Sequence, residues 1–367
     1  MNLNIIMVTT LTKRFAWEVL AQLQNFREQN LSHITHLLVF QPYSTLSKQR
    51  DKLWDIVEEK FPEVVIKHYR DDVNFERVYN GFGYIPLVRP YLLAKYFEEN
   101  PHFSKEAWFY TDTDVLFTQT LDFQKYLKDD VCYMSEAGSY TDHNYFDSKY
   151  RLLADGTPEF MKPELYEKGK KRDFLNEFAS FCGITRDIIV QNWGKSGAAQ
   201  YLLKNIDADY WRDVLTNCME LKTHMDTING QYMQSADKGF QAWCADIHAV
   251  VWNLWKRGYK TECPPEFDFA WATDPIERIS ERKIFHNAGL TSETCLRLTK
   301  KDENGDAIHL EGPAMYKGAY RYVADIVSPY DEPEKLTDVI NHTVSSKYGI
   351  AWYCQQLLDT KEIYGLN

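Results

Sequence analysis

The first 120 residues alternate two hydrophobic rhythms. NLNIIMVTT (2–10) is a continuous β-rich run, AWEVLAQLQNFREQ (16–29) repeats apolar positions at helical spacing, and THLLVFQP (35–42) is a second β run that Pro42 ends. A helical stretch near Lys48 to Glu59, the run EVVIKHY (63–69), a helix from about Leu87 to Phe97 closed off by Pro101, and EAWFYTD (106–112) extend the order to βαβαβαβ. That order predicts an α/β fold of Rossmann type: a mostly parallel central sheet flanked by helices, with ligands gathered at the carboxyl ends of the strands.

The pattern fades between about Ser139 and Arg172 into polar sequence with Gly, Pro and Tyr, which reads as an insertion or mobile loop. It returns in QNWGKSGAAQYLLKN (191–205), a Gly-containing turn feeding a buried strand, and in a helical stretch from Ala208 to Met225. Gly239 to Arg257 predicts a strong amphipathic helix, with Trp243, Ile247, Val250, Val251, Leu254 and Trp255 on one stripe and Gly258 as its stop. Short strands are expected at Tyr259–Cys263 and Lys283–His286. At 367 residues, the expectation is one elaborated domain over 1–300 and a C-terminal extension over 301–367 that carries no legible local signal.

Charge and composition narrow the function classes. The formal net charge is −11, from 53 acidic against 42 basic residues, and no Lys/Arg run has the length of a nucleic-acid arm, which disfavours tight nonspecific binding to a phosphate backbone. A locally basic groove remains compatible with that balance. Aromatic residues make up 15%, with 24 Tyr and 10 Trp; most such rings pack cores, and rings with polar edges also suit sugar or base stacking. Seven scattered cysteines without paired spacing argue for free thiols and against a zinc cluster. No uninterrupted apolar segment approaches the roughly 18–20 residues that cross a bilayer, and no export signal is visible, so the expected location is cytoplasmic.

The most informative string is WFYTDTDVLF (108–117), where apolar residues flank two aspartates spaced by two. In an extended segment side chains alternate faces, so Asp112 and Asp114 would point the same way at the end of a buried strand. Two such carboxylates repel, and a hard divalent cation resolves the repulsion while leaving positions for phosphate oxygens. The competing reading is a strand leaving the core into an Asp-rich turn.

This D-x-D, after three strand-helix units, resembles the motif of metal-dependent glycosyltransferases of the GT-A fold. Three longer strings, GFQAWCADIHAVVWNLWKRGY (239–259), PEFDFAWATDPIER (265–278) and IFHNAGL (284–290), are similar to the hydroxyproline arabinosyltransferase and peptidyl-serine galactosyltransferase group and related viral glycosyltransferases. The resemblance implies a GT-A-like catalytic domain with a nucleotide-sugar-binding half over 1–136, the insertion at 139–172 and an acceptor-side half over 173–300. It implies an EC 2.4 enzyme that takes a sugar from a UDP-linked donor, with Mn2+ or Mg2+ as cofactor, and it tilts the stereochemistry toward retention. The acceptor would be a hydroxyl on a glycan or protein, or a hydroxymethylated base in DNA. Asp112 and Asp114 would hold the metal and donor diphosphate, His286 would supply the third metal ligand, and Thr9 and Thr10 would meet the nucleobase.

Asp246 is the first catalytic candidate. It falls in the middle of the expected helix, with small Ala242 and Ala249 at helical spacing leaving room beside it. In the resembling families an acid here sits near the acceptor, as general base in inverting enzymes or as a positioning group in retaining ones. The alternative is an exposed helix acid, or one paired with Arg257 or another cation. Gln200 would hydrogen-bond the donor sugar or face its anomeric carbon, and Gly194 and Gly197 would let backbone amides approach it, although a simple turn explains the glycines equally well. Arg89 would pair with the diphosphate, against a solvated helix charge. Trp271 and Asp274 in WATDP would provide a stacking platform and a sugar-hydroxyl acceptor. Two other classes compete: a haloacid-dehalogenase-type phosphatase, whose nucleophile motif is also D-x-D but normally lies on the first strand, and a nonenzymatic carbohydrate-binding protein.

Overall fold

The structure, a computed structural model, describes residues 1–42, 50–72, 75, 84–167, 170–288, 328–341 and 345–366. Its strands are β1 (Leu3–Thr10), β2 (Thr35–Gln41), β3 (Val65–Arg70), β4 (Ala107–Tyr110), β5 (Val115–Phe117), β6 (Val131–Glu136), β7 (Gly197–Lys204), β8 (Lys260–Glu262), β9 (Phe269–Trp271) and β10 (Ile284–His286). Seven form a sheet in the order β3-β2-β1-β4-β7-β6-β8, and three form a second in the order β5-β10-β9. β2 runs parallel to β1 and β3, and β8 parallel to β6, while β7 is antiparallel to both β4 and β6. Helices flank these strands, as the alternating pattern requires.

The chain separates into two compact units. A terminal unit comprises Ile5–Asp71, Thr111–Asp122 and Glu266–Asn367, and a central unit comprises Met1–Asn4, Asp72–Tyr110 and Phe123–Pro265.

In the terminal unit, α1 (Lys13–Glu28) buries Ala16, Trp17, Val19, Leu20, Leu23 and Phe26. Each large apolar side chain removed from water in this way contributes about 1.5–3 kcal/mol. Asp51 caps α2 (Lys52–Lys60) by accepting from the Leu53 amide. The residues beyond 328 join this unit through α11 (Pro333–Asn341) and α12 (Gly349–Tyr364), numbered after the central helices below. Tyr330 donates to the Trp17 carbonyl at 3.4 Å, and Lys13 pairs with Asp331 at 2.8 Å, so tertiary contacts with α1 hold a segment whose own pattern is weak. Residues 301–327 and Gly289 lie outside the described residues.

The central unit contains α3 (Val88–Glu99), α4 (Gly138–Thr141), α5 (His143–Ser148), α6 (Phe174–Phe181), α7 (Arg186–Gln191), α8 (Ala208–Tyr232) and α9 (Ala245–Lys256); α10 (Glu277–Glu281) belongs to the terminal unit. All eight residues of β7 are buried, which is why its sequence is mostly apolar, with Gln200 and Lys204 as buried polar exceptions. The helix expected to stop at Met225 continues to Tyr232. Two features of the expected Gly239–Arg257 helix are corrected. α9 starts only at Ala245, after a 3₁₀ turn at Ala242–Cys244, and it is buried nearly all round rather than along one stripe. Trp243, placed on that stripe by periodicity, is 48% exposed, because the backbone has not yet entered the α-helix there. Within 139–172, α5 is tied down by Lys149, whose buried ammonium donates to the Gly239 carbonyl at 2.7 Å, and by Asp147, which pairs with Arg186 and Lys171.

Candidate functional site

β4 ends at Tyr110, and Asp112 and Asp114 lie in the turn that joins it to β5. Their convergence is therefore made by a turn and not, as strand alternation suggested, by two same-face positions of one strand. β10 pairs antiparallel with β5, bringing His286 opposite Val115, and the Asn287 amide donates to the Asp114 carbonyl at 2.9 Å. One ligand atom from each of Asp112, Asp114 and His286 then lies within 4.8 Å of the others. His286 Nε2 is 3.3 Å from Asp114 Oδ1 and 3.9 Å from Asp112 Oδ2.

These distances suit a shared ion, since ligands each about 2.1 Å from one cation stand roughly 3–4 Å apart. Two carboxylates and an imidazole could together hold a divalent metal ion, with positions left for other oxygen ligands. Asp114 is buried and Asp112 half-exposed, so the set has a rigid wall and an open side. The His286 ring is fixed by Trp271, stacked at 6.1 Å and 17°, and by the edge of Phe269 at 5.1 Å. Its Nδ1 is buried with no hydrogen-bond partner among the described residues. Tyr353 on α12 belongs to the same neighbourhood: burial first, then the charges of Glu18 and Asp114, push its phenol well above the ordinary range.

The other candidates of this unit have mixed placements. Thr9 and Thr10 end β1, both 3% exposed, and the Thr9 hydroxyl has no hydrogen-bond partner among the described residues. Asp274 accepts from the Trp271 amide at 2.9 Å, and its carbonyl accepts from Gly349 at the start of α12. The carboxylate closes the WATD turn and the carbonyl docks α12, structural tasks that the sugar-hydroxyl expectation did not include.

In the central unit, Arg89 on α3 and Asp246 in the first turn of α9 form a buried ion pair. Arg257, the partner weighed from sequence, bonds Asp207 and Asp213 instead. Tyr84 donates its hydroxyl to the Trp243 carbonyl at 2.6 Å and to Asp246 Oδ1 at 3.2 Å, and accepts from the Asp246 amide at 3.1 Å. The Arg89 guanidinium lies over the Tyr110 ring at 4.7 Å. Neither a solvated helix charge nor an exposed acid describes these residues, because each neutralises the other inside the unit.

Gln200 is fully buried in β7; its Oε1 accepts from Ser135 at 2.6 Å, and its Nε2 has no hydrogen-bond partner among the described residues. It follows Ala199, whose φ of +64° accompanies a register irregularity between β6 and β7. Gly197 has a packing reason to be glycine: a Cβ there would stand 2.2 Å from the Ser135 carbonyl. Gly194, at φ +72°, is a turn glycine.

No family model matches the chain, and no curated protein sequence matches it. Among solved structures, the bifunctional glycosyltransferase WbbM in its apo form is similar at a TM-score of 0.41 and 11% identity, over 79% of this chain and 46% of that one. The galactosyltransferase LgtC, solved with donor and acceptor sugar analogues, is similar at 0.42 and 11%, over 90% of this chain and 99% of that one. The chain thus spans about half the length of the first (46%) and nearly all of the second (99%).

Three features of these clusters escaped the sequence reading. The Arg89–Asp246 pair joins residues 157 positions apart, and no local pattern announces it. Tyr84 was missed for the same reason. Glu18, Gln22 and Asn25, buried polar residues on α1, did leave a signal: they recur at i, i+4 and i+7, a helical spacing that puts them on one face.

Proposed function

We propose that this protein is a metal-dependent glycosyltransferase that moves a sugar from a nucleotide-diphosphate donor, UDP-linked, to an acceptor hydroxyl. The observation that carries the reading is the convergence within 4.8 Å of Asp112 and Asp114, in the turn after β4, with His286 at the end of β10, in a unit that also holds the parallel strands β1, β2 and β3. A divalent ion held there would offset the charge that develops on the departing diphosphate. Asp112 and Asp114 bind that ion as charged oxygen donors, and His286 completes the set through Nε2. Thr9 and Thr10, at the end of β1, are the nucleobase contacts, with Trp271 as a stacking surface for the donor.

Asp246 is the proposed catalytic carboxylate, with Gln200 as the alternative. Bonds from Arg89 and Tyr84 to both Asp246 oxygens favour a fixed charge that stabilises a cationic sugar over a freely rotating proton acceptor, which agrees with retention. The acceptor is a hydroxyl of a glycan or protein, or a hydroxymethylated DNA base. No helix among the described residues is long and apolar enough to cross a membrane.

The test combines calorimetry of UDP binding, with and without manganese, and mass spectrometry of products from a panel of nucleotide sugars and acceptors. Asp112→Asn and Asp114→Asn should each weaken manganese-dependent UDP binding by more than about 100-fold, since removing even an outer partner of a metal ligand costs 10–100-fold. Unchanged binding in both variants would refute the metal reading. Release of phosphate from simple esters, without sugar transfer, would move the protein to the phosphatase class.

A further inference from the structure

We propose that Glu18, Gln22 and Asn25, the polar stripe on the buried side of α1, are the positioning residues that set the geometry of Asp112 and Asp114. This inference rests on the metal reading above. Spacings of four and three residues put the three side chains on one helix face, and they are 1%, 0% and 5% exposed. Burial of polar groups is costly unless they are hydrogen-bonded, and each of the three hydrogen-bonds to residues within 112–117.

Gln22 spans the turn: its Nε2 donates to the Asp112 carbonyl at 2.6 Å and to the Val115 carbonyl at 2.8 Å. Thr113, between the two aspartates, donates its hydroxyl to Glu18 at 2.8 Å. Asn25 treats β5 as a neighbouring strand would, donating to the Phe117 carbonyl at 2.9 Å and accepting from the Phe117 amide at 2.7 Å. A short turn carrying two like charges has no rigidity of its own. Bonded at its start, middle and end to one helix, it holds both carboxylates toward His286 before any ion arrives, and preorganisation of this kind lowers the cost of binding. These contacts are made through backbone and Thr113 atoms, so they act on the ligands without being ligands.

Thr113→Val and Thr113→Ser separate this role from packing, because valine keeps the shape and serine keeps the hydroxyl. Manganese affinity of the full chain, read by electron paramagnetic resonance and calorimetry, should fall about 10–100-fold in Thr113→Val and in Gln22→Met, and should stay at the wild-type level in Thr113→Ser. Thermal melts run in parallel; if Gln22→Met does not fold, the Thr113 pair decides. Wild-type manganese affinity in folded Thr113→Val, with Asp114→Asn abolishing binding, would overturn the positioning role and leave the metal reading intact. Manganese binding that is absent from the wild type, or indifferent to Asp114→Asn, would remove the metal reading and the clamp with it.

Discussion

Asp246 and Asp114 are both buried acids, at 7% and 2% exposure, yet the chain surrounds them with different chemistry. Around Asp246 the protein supplies the countercharge itself, through Arg89, and a second donor in Tyr84. Burial, and then the charge of Asp246, keeps the Tyr84 phenol well above its ordinary range, so it remains a donor. Around Asp114 the convergence is of a second carboxylate and an imidazole, a set that could hold a divalent cation. The comparison teaches that burial of an acid is not by itself a functional signal. The groups that face it decide what it can do: a fixed ion pair in one case, a carboxylate–imidazole cluster in the other.

The largest expected contrast follows directly. Asp246→Asn leaves the buried Arg89 guanidinium without its countercharge and should cost about 3–5 kcal/mol in urea denaturation. In the same assay, without metal, Asp112→Asn should stay within about 1 kcal/mol of wild type, since its side chain is 38% exposed. Measured on folded protein, turnover of Asp246→Asn should drop about 10²- to 10⁴-fold with nucleotide affinity nearly unchanged. Equal stability of the two variants would erase the distinction, and a large loss of nucleotide affinity in Asp246→Asn would move that residue to the donor side.

Two histidines sharpen the same contrast. His248 in the central unit is 2% exposed between Phe146 and Trp252, and burial lowers its pKa from 6.5 to about 3. Because the folded value lies below the unfolded one, the unfolded chain binds the proton more readily. The stability contributed by the neutral ring is complete above pH 6.5 and is lost progressively as pH falls toward 3. His248→Phe should therefore remove about 2 kcal/mol of the stability difference between pH 7 and pH 5. An unchanged pH dependence would show that other groups set it.

The smallest effect is expected at His286. His286→Ala removes one neutral ligand that water can replace, so manganese affinity should fall about tenfold, less than for either aspartate, and activity should recover at higher manganese. Loss of thermal stability with no metal dependence would instead group His286 with His248 as a core residue.

The hydrophobic rhythm alone determined the β-α alternation of the first 120 residues, the buried strand over Gly197–Lys204 and the presence of helices near α3, α8 and α9. Those signals are local: periods of 2 and 3.6 and stop residues such as Pro101 act within one element. The spacing of Asp112 and Asp114 likewise pointed to two converging carboxylates before any coordinates, although it misjudged the local backbone. β6, β5 and β9 went unread; β5 and β9 have three residues each, so pairing rather than composition makes them strands. Only the tertiary structure decided that Arg89 meets Asp246, that Asp274 closes a turn against α12, and that α1 clamps the D-x-D segment. In each case the partners lie far apart in the chain or act through backbone atoms. A buried charge or amide selects its partner by what folding brings within hydrogen-bond distance, and that choice has no period to read.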